Sequence, residues 1–128
     1  MMRYRLERVG RLLLTKAAVS GPTGVHVVRL LIDTGSVYTV LPIEVLESIG
    51  CSPAGSVDRV RIVTGSGYLI APRVRVVWLQ CLGRRVDDTV VVAHTLPIGS
   101  LADGLLGMDF LGPTGVKLLI AEGVIEVP

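Results

Sequence analysis

Apolar and polar positions follow one another along this chain in short runs, rich in β-branched residues and separated by turn formers, which is the pattern of strands rather than of helices. The segments Val25 to Ile32, Val57 to Val63, Arg73 to Gln80, Thr89 to Val92 and Gly123 to Val127 have strand length and are bounded by turn residues. In Arg59-Val60-Arg61-Ile62 and Arg73-Val74-Arg75-Val76 a period of two places arginines on one face and apolar residues on the other, so these strands are half exposed and their arginines solvated. One segment of any length reads as a helix, Pro42 to Gly50, with Pro at its start, Glu44 in its first turn and Gly50 at its end. A second short helix is expected over Met108 to Leu111, stopped by Gly112-Pro113. The string Gly21-Pro22-Thr23-Gly24-Val25 recurs as Gly112-Pro113-Thr114-Gly115-Val116. Pro in second place and Gly in fourth suit a type I turn, so the same hairpin chemistry is expected twice, with a duplicated half-domain as the alternative.

Length and composition narrow the choice. The 128 residues hold one core. We read one domain over residues 1–128, with residues 1–10 as a flexible or edge-strand N-terminus. At 50% hydrophobic, 4% aromatic and 19% charged, the chain is too apolar for disorder and too aperiodic for a collagen or coiled coil. A (β/α)8 barrel needs roughly 200 residues or more, and a two-lobed enzyme needs two cores, so any cleft here must be small or shared between chains.

Charge points to no nucleic-acid partner: the net +2 comes from 13 Lys+Arg against 11 Asp+Glu. The arginines at 3, 5, 8 and 11, with Tyr4 alone among them, make a thin phosphate platform and read as a solvated edge or tail. Leu12 to Leu14, ended by Lys16, is too short for a signal-peptide core of about 7–15 residues. Arg29 and Asp33 interrupt the longest apolar run before it nears the roughly 18 residues of a membrane span, so a cytoplasmic protein without a membrane partner is expected. Cys51 and Cys81 form no CxxC pair and read as buried thiols; with His26 and His94 they match no compact zinc spacing, so no metal or other cofactor is expected. Thr64-Gly65-Ser66-Gly67 lacks the Gly-Lys-Ser/Thr of a P-loop.

Chemistry concentrates in Leu30-Leu31-Ile32-Asp33-Thr34-Gly35-Ser36-Val37-Tyr38-Thr39-Val40-Leu41-Pro42. So pure an apolar run marks a buried strand, and it delivers Asp33 at its end, where an isolated carboxylate is expensive unless paired or hydrogen-bonded. Asp-Thr-Gly alone could be a turn closing a strand. A second segment, Asp103-Gly104-Leu105-Leu106-Gly107-Met108-Asp109-Phe110-Leu111, sets two large apolar residues before a glycine. Together, Asp33-Thr34-Gly35-Ser36 and Leu105-Leu106-Gly107 resemble the retropepsin-like aspartic proteases. In that family an apolar strand ends in Asp-Thr-Gly-Ser/Ala, and a later hydrophobic-hydrophobic-Gly strand packs beside the active-site loop. Ile62 to Ile70 sits where the family carries its Gly-rich flap hairpin, and the resemblance covers about residues 11 to 127.

The resemblance implies a mostly β single-domain closed barrel or sandwich of the acid-protease type with one or two short helices. It implies Asp33 as the catalytic carboxylate and Thr34 as a hydroxyl donated across a dimer to the other active-site loop. Gly35 brings a backbone NH to the carboxylates, Ser36 hydrogen-bonds an Asp33 oxygen, and Thr64, Gly65, Ser66 and Gly67 form a flap tip closing over an extended peptide. Two carboxylates held together share one proton, which lets the pair act at once as base and acid. The chain carries one Asp-Thr-Gly. Asp103-Gly104 reads as a turn, Asp87-Asp88 as an exposed loop pair and Asp109 as the opening of the last helix, so the second carboxylate must come from another copy across a two-fold axis.

Two departures mark the chain off from the retroviral members. Their Asp after the active-site loop and Arg after the later Gly are here Val37 and Met108, so that ion-pair network is absent. In those members the chain ends interleave at the dimer base, and Val124 to Val127 is expected to do something similar. The expected function is thus a homodimeric aspartic endopeptidase acting on extended polypeptide; the alternative is a catalytically silent module of the same fold that dimerises or binds peptides.

Overall fold

A computed structural model describes residues 1–64 and 67–128. Two long hairpins build its frame. The first joins β3 (Leu12–Gly21) to β4 (Gly24–Ile32), with Gly21 and Gly24 facing each other across Pro22-Thr23. The second joins β7 (Gly67–Cys81) to β8 (Arg84–Ala93) through Leu82 and Gly83. Both turn residues have positive φ, 52° and 70°, the geometry that best matches a two-residue turn to the right-handed twist of its strands. Leu82 tolerates that conformation with its side chain buried in the core. A shorter partner, β6 (Arg59–Thr64), pairs with the first part of β7.

The sheet runs β2 (Glu7–Val9), β3, β4, β9 (Gly104–Leu106), β5 (Val40–Leu41), β8, β7, β6, and a further β3–β7 pairing closes it into a barrel. Inside lie Val19, Leu30, Leu41, Leu46 and Leu106, all fully buried. Each such side chain contributes roughly 1.5–3 kcal/mol of burial free energy. Helix α1 (Ile43–Ser48) adds Leu46 to this core, and α2 (Met108–Thr114) adds Phe110 and Leu111. A smaller cluster of Val40, Ala71 and Val92, flanked by Tyr38, Ile62, Leu69 and Leu105, lies beneath the β6–β7 hairpin.

Several sequence expectations are corrected here. Helix α2 does not stop at Gly112-Pro113 but runs to Thr114, with Gly115 (φ 69°) as its left-handed cap. Pro113 falls in the last turn, where its missing N–H removes one intrahelical bond rather than a stretch of helix. The repeated Gly-Pro-Thr-Gly is therefore a hairpin turn once and a helix end once; a type I turn and a helical turn share right-handed α dihedrals, so one tetrapeptide serves both. Asp87 and Asp88 lie within β8 rather than in a loop. Gly104 opens β9, and Asp103 clasps Arg29 by two 2.8 Å bonds, Asp103 N to Arg29 O and Arg29 N to Asp103 Oδ2. Arg73 is half-buried over the Tyr38 ring and beside Asp58, not freely solvated.

At the base, β11 (Val124–Val127) is the middle strand of a three-stranded sheet, between β1 (Met2–Arg5) and β10 (Lys117–Leu119) of the same chain. Both of its edges are thus filled from within the protomer, where the expectation had it interleave with a second copy; the outer edges of β1 and β10 are the unpaired ones among the described residues.

Candidate active site

Strand β9 lies between β4, with which it is parallel, and β5, with which it is antiparallel. The chain leaving β4 must therefore cross the end of β9 to enter β5, and the crossing is the segment from Asp33 to Thr39. Ile32 stands opposite Leu106, and Asp33 N donates to Leu106 O at 3.1 Å. The carboxylate thus leaves the barrel at the end of a buried strand, held from below by the hydrophobic-hydrophobic-Gly segment Leu105-Leu106-Gly107.

Local bonds fix the loop. Gly35 N donates to Asp33 Oδ1 at 3.0 Å, and Ser36 N to Asp33 O at 3.2 Å. A Cβ on Gly35 would stand 3.3 Å from Oδ1, so the glycine allows the close approach of its NH. Ser36 departs from its expected role: its hydroxyl donates to Tyr38 O at 2.7 Å, closing the loop on itself instead of reaching Asp33. Thr34 is exposed, and among the described residues its hydroxyl has no hydrogen-bond partner. It borders an apolar depression of about 210 Å³ with Ile32, Met108, Leu111, Val116 and Leu118.

On the other side of the loop a cleft of about 560 Å³ opens over Asp33, Gly35 and Ser36. Its walls are Val40, Ile62, Leu69, Leu96, Pro97 and Leu105, with Tyr38, His94 and Arg61 as polar edges. Among the described lining residues Asp33 is the single carboxylate. The cover is the β6–β7 hairpin, in register from Arg59 opposite Pro72 to Thr64 opposite Gly67. Of the expected flap tip, Thr64 and Gly67 end the paired strands, and Gly65 and Ser66 lie outside the described residues. Val37 and Met108 are exposed, and backbone bonds join their two segments in place of an ion pair: Met108 N donates to Ser36 O at 2.8 Å and Asp109 N to Val37 O at 3.1 Å.

Sequence reading missed Thr39 and the further part played by Asp109. Thr39 is buried, donates its N–H to Asp109 Oδ2 at 2.9 Å and its hydroxyl to Asp109 Oδ1 at 2.7 Å, and accepts from Gly107 N at 3.1 Å. A hydroxyl in the otherwise apolar stretch Val37 to Pro42 was the available signal, since a buried polar group needs partners. The two cysteines are buried and free, and burial pushes the Cys81 thiol up to about 12. No described helix is long and apolar enough to cross a membrane.

A comparison with curated protein sequences finds no match. Among solved structures, the fold is similar to that of a retropepsin-like aspartic protease from Rickettsia conorii, at 17% identity and a TM-score of 0.71, over 97% of this chain and 88% of that one. A family model described as aspartyl protease matches residues 15–110, which include the Asp-Thr-Gly loop, the covering hairpin and the Leu-Leu-Gly segment beneath. The chain belongs to the aspartyl protease family, with the mostly β fold of its retropepsin-like members.

Proposed function

We propose that the chain is one half of a homodimeric aspartic endopeptidase, in which Asp33 and its symmetry mate activate a water molecule against a peptide bond of an extended polypeptide. The observation that carries this reading is a lone carboxylate, delivered by a buried strand into an apolar cleft that holds no second acid among its described lining residues. A two-fold axis beside Asp33 supplies the missing group, because a residue near such an axis meets its own copy. The unpartnered Thr34 hydroxyl and the apolar depression next to it support the same axis, since both are surfaces that a second copy would satisfy.

The chemistry follows from the pairing. Two adjacent carboxyl groups cannot both ionise, so the pair holds one proton. The ionised oxygen takes a proton from water as the water oxygen adds to the scissile carbonyl carbon, and the protonated partner hydrogen-bonds the carbonyl oxygen as charge develops there. Collapse of the tetrahedral intermediate breaks the C–N bond as the nitrogen takes the proton that the carboxylate drew from water, leaving an acid, an amine and the pair with one proton again. Gly35 N–H holds Asp33 Oδ1 in place, and the β6–β7 hairpin shields the cleft from bulk water. The substrate backbone lies as an added strand between hairpin and floor, with alternate side chains against Val40, Ile62, Leu69 and Leu105.

The deciding experiment compares wild type with Asp33→Asn on a mixed peptide library, read by mass spectrometry from pH 3 to 8. Cleavage by wild type, strongest in the acidic range and absent in the variant, is the expected result. Equal cleavage by both proteins, or a wild-type rate rising steadily through pH 8, would overturn the reading. A folded monomer at micromolar concentration that cuts nothing would favour a silent peptide-binding module.

A further inference from the structure

Outside the reacting group, one hydrogen-bonded chain ties the active-site loop to the rest of the barrel. Gly107 N–H donates to Thr39 Oγ1, whose own proton is thereby directed to Asp109 Oδ1; Thr39 N–H donates to Asp109 Oδ2. We propose that Thr39 and Asp109 are positioning residues for catalysis, a strap that holds the far end of the Asp33–Thr39 crossing against the start of α2 and so sets where Asp33 points. The proposal rests on the protease reading above for its effect on rate.

The strap has a polarity that restricts what can stand at either end. Thr39 presents two donors to Asp109, one from its backbone and one from its hydroxyl, so a partner that accepts twice satisfies both. A carboxylate does so with its two oxygens. An Asn amide keeps the contact only if the Thr39 hydroxyl turns so that Oγ1 accepts from both the amide nitrogen and Gly107 N, which leaves the buried hydroxyl proton without the carboxylate that receives it here. Thr39 in turn needs a hydroxyl, because the same oxygen receives the Gly107 amide at a buried position. Removing it leaves Gly107 N–H and one Asp109 oxygen unsatisfied.

Leverage comes from where the strap is anchored. Asp33 is fixed at one end of the crossing by Leu106 O. Met108 N and Asp109 N hold Ser36 and Val37, and the side-chain strap completes the series at Thr39. Four consecutive residues, Leu106 to Asp109, thus grip the loop that carries the carboxylate and continues into the floor strand β5. Displacement of a reacting group by about 1 Å can lower a rate on the order of a hundredfold. A strap one residue away from the cleft floor is positioned to prevent it without touching substrate.

The test uses purified full-length chain and four variants: Asp109→Asn, Thr39→Val, Thr39→Ser and the double change Asp109→Asn/Thr39→Val. With a peptide substrate of the wild type, Asp109→Asn and Thr39→Val are each expected to lower kcat roughly tenfold with KM moved less than about twofold. Thr39→Ser keeps the hydroxyl and should restore most of kcat. The double variant should be no slower than the worse single one, since either change breaks the same chain. Wild-type kcat in Asp109→Asn, or losses that multiply in the double variant, would overturn the proposal. If Thr39→Val does not fold, Asp109→Asn alone decides, as its side chain lies on an exposed residue. Amide exchange supplies a readout independent of proteolysis: the amides of Thr39 and Gly107 should exchange faster in Asp109→Asn. Should the wild type cut no peptide, the protease reading fails by itself, and unchanged protection of those two amides would separately dispose of the strap.

Discussion

Gly107 lies directly against the carbonyl of Tyr38: a Cβ on Gly107 would collide with the Tyr38 oxygen and stand 3.0 Å from Ser36 O. Neither neighbour is a flexible side chain; both are backbone of the loop that carries Asp33. Gly107→Ala is expected to push that loop off β9, lowering stability by about 1–3 kcal/mol as overpacking commonly does and lowering kcat further than stability alone explains. Denaturant melts beside peptide-cleavage rates would separate the two effects. A variant as stable and as active as wild type would show that the loop yields without consequence.

Leu106 combines two duties in one residue, a fully buried side chain and the carbonyl that accepts Asp33 N–H. Leu106→Ala keeps the carbonyl but opens a cavity, with an expected loss of about 2–5 kcal/mol. Leu106→Met keeps most of the volume and should stay within about 1.5 kcal/mol of wild type. Urea denaturation of both variants checks the contrast.

The Cys81 thiol gives stability a dependence on alkaline pH. Burial raises it from 9.0 to about 12, so the folded state retains a proton that the unfolded chain releases. A raised folded value means that the contribution is complete below pH 9 and is lost as pH climbs from there toward about 12, by roughly 1.4 kcal/mol per pH unit. Wild type should therefore lose stability more steeply than Cys81→Ala over that window, and parallel curves for the two would contradict it. The native thiol should also resist alkylation at pH 8 until the protein is unfolded.

Thr34→Val tests the proposed two-fold. The exchange keeps shape and removes a hydroxyl that has no partner among the described residues, so the melting temperature of dilute protein should hardly change. Sedimentation equilibrium should nonetheless show self-association weakened about tenfold or more, near what two symmetry-related hydrogen bonds lost between partners allow. Unchanged association would place Thr34 outside the contact.

Strands whose own residues decide their pairing were readable from sequence. Val25 to Ile32 and Arg73 to Gln80 became β4 and part of β7, because β-branched runs of that length have few other uses. The active-site loop and Leu105-Leu106-Gly107 were also readable, since Asp-Thr-Gly after an apolar run and a paired apolar dipeptide before Gly are local patterns. What stayed hidden depends on long-range partners. Strand β3 carries Lys16, Ala17, Ala18, Ser20 and Gly21, poor strand formers that are ordered by β4 on one side and β7 on the other. Strand β5 has only two residues and exists because β8 and β9 flank it. Ser36 was assigned to Asp33, but the closer acceptor was a carbonyl two residues on, a contact decided by loop curvature rather than by residue type. The pairing of Thr39 with Asp109 joins positions 70 residues apart, beyond any local pattern.

The closed base of the protomer has a further consequence. Since β1 and β10 already occupy both edges of β11, no terminal strand has to leave one chain to complete another. In the proposed dimer, then, partners can be traded without drawing β11 out of its own sheet. Inactive copies would act as poison: after equal amounts of wild type and Asp33→Asn chains have mixed to equilibrium, only about a quarter of the pairs would hold two carboxylates. The time taken to reach that level would measure how long two halves of the enzyme stay together.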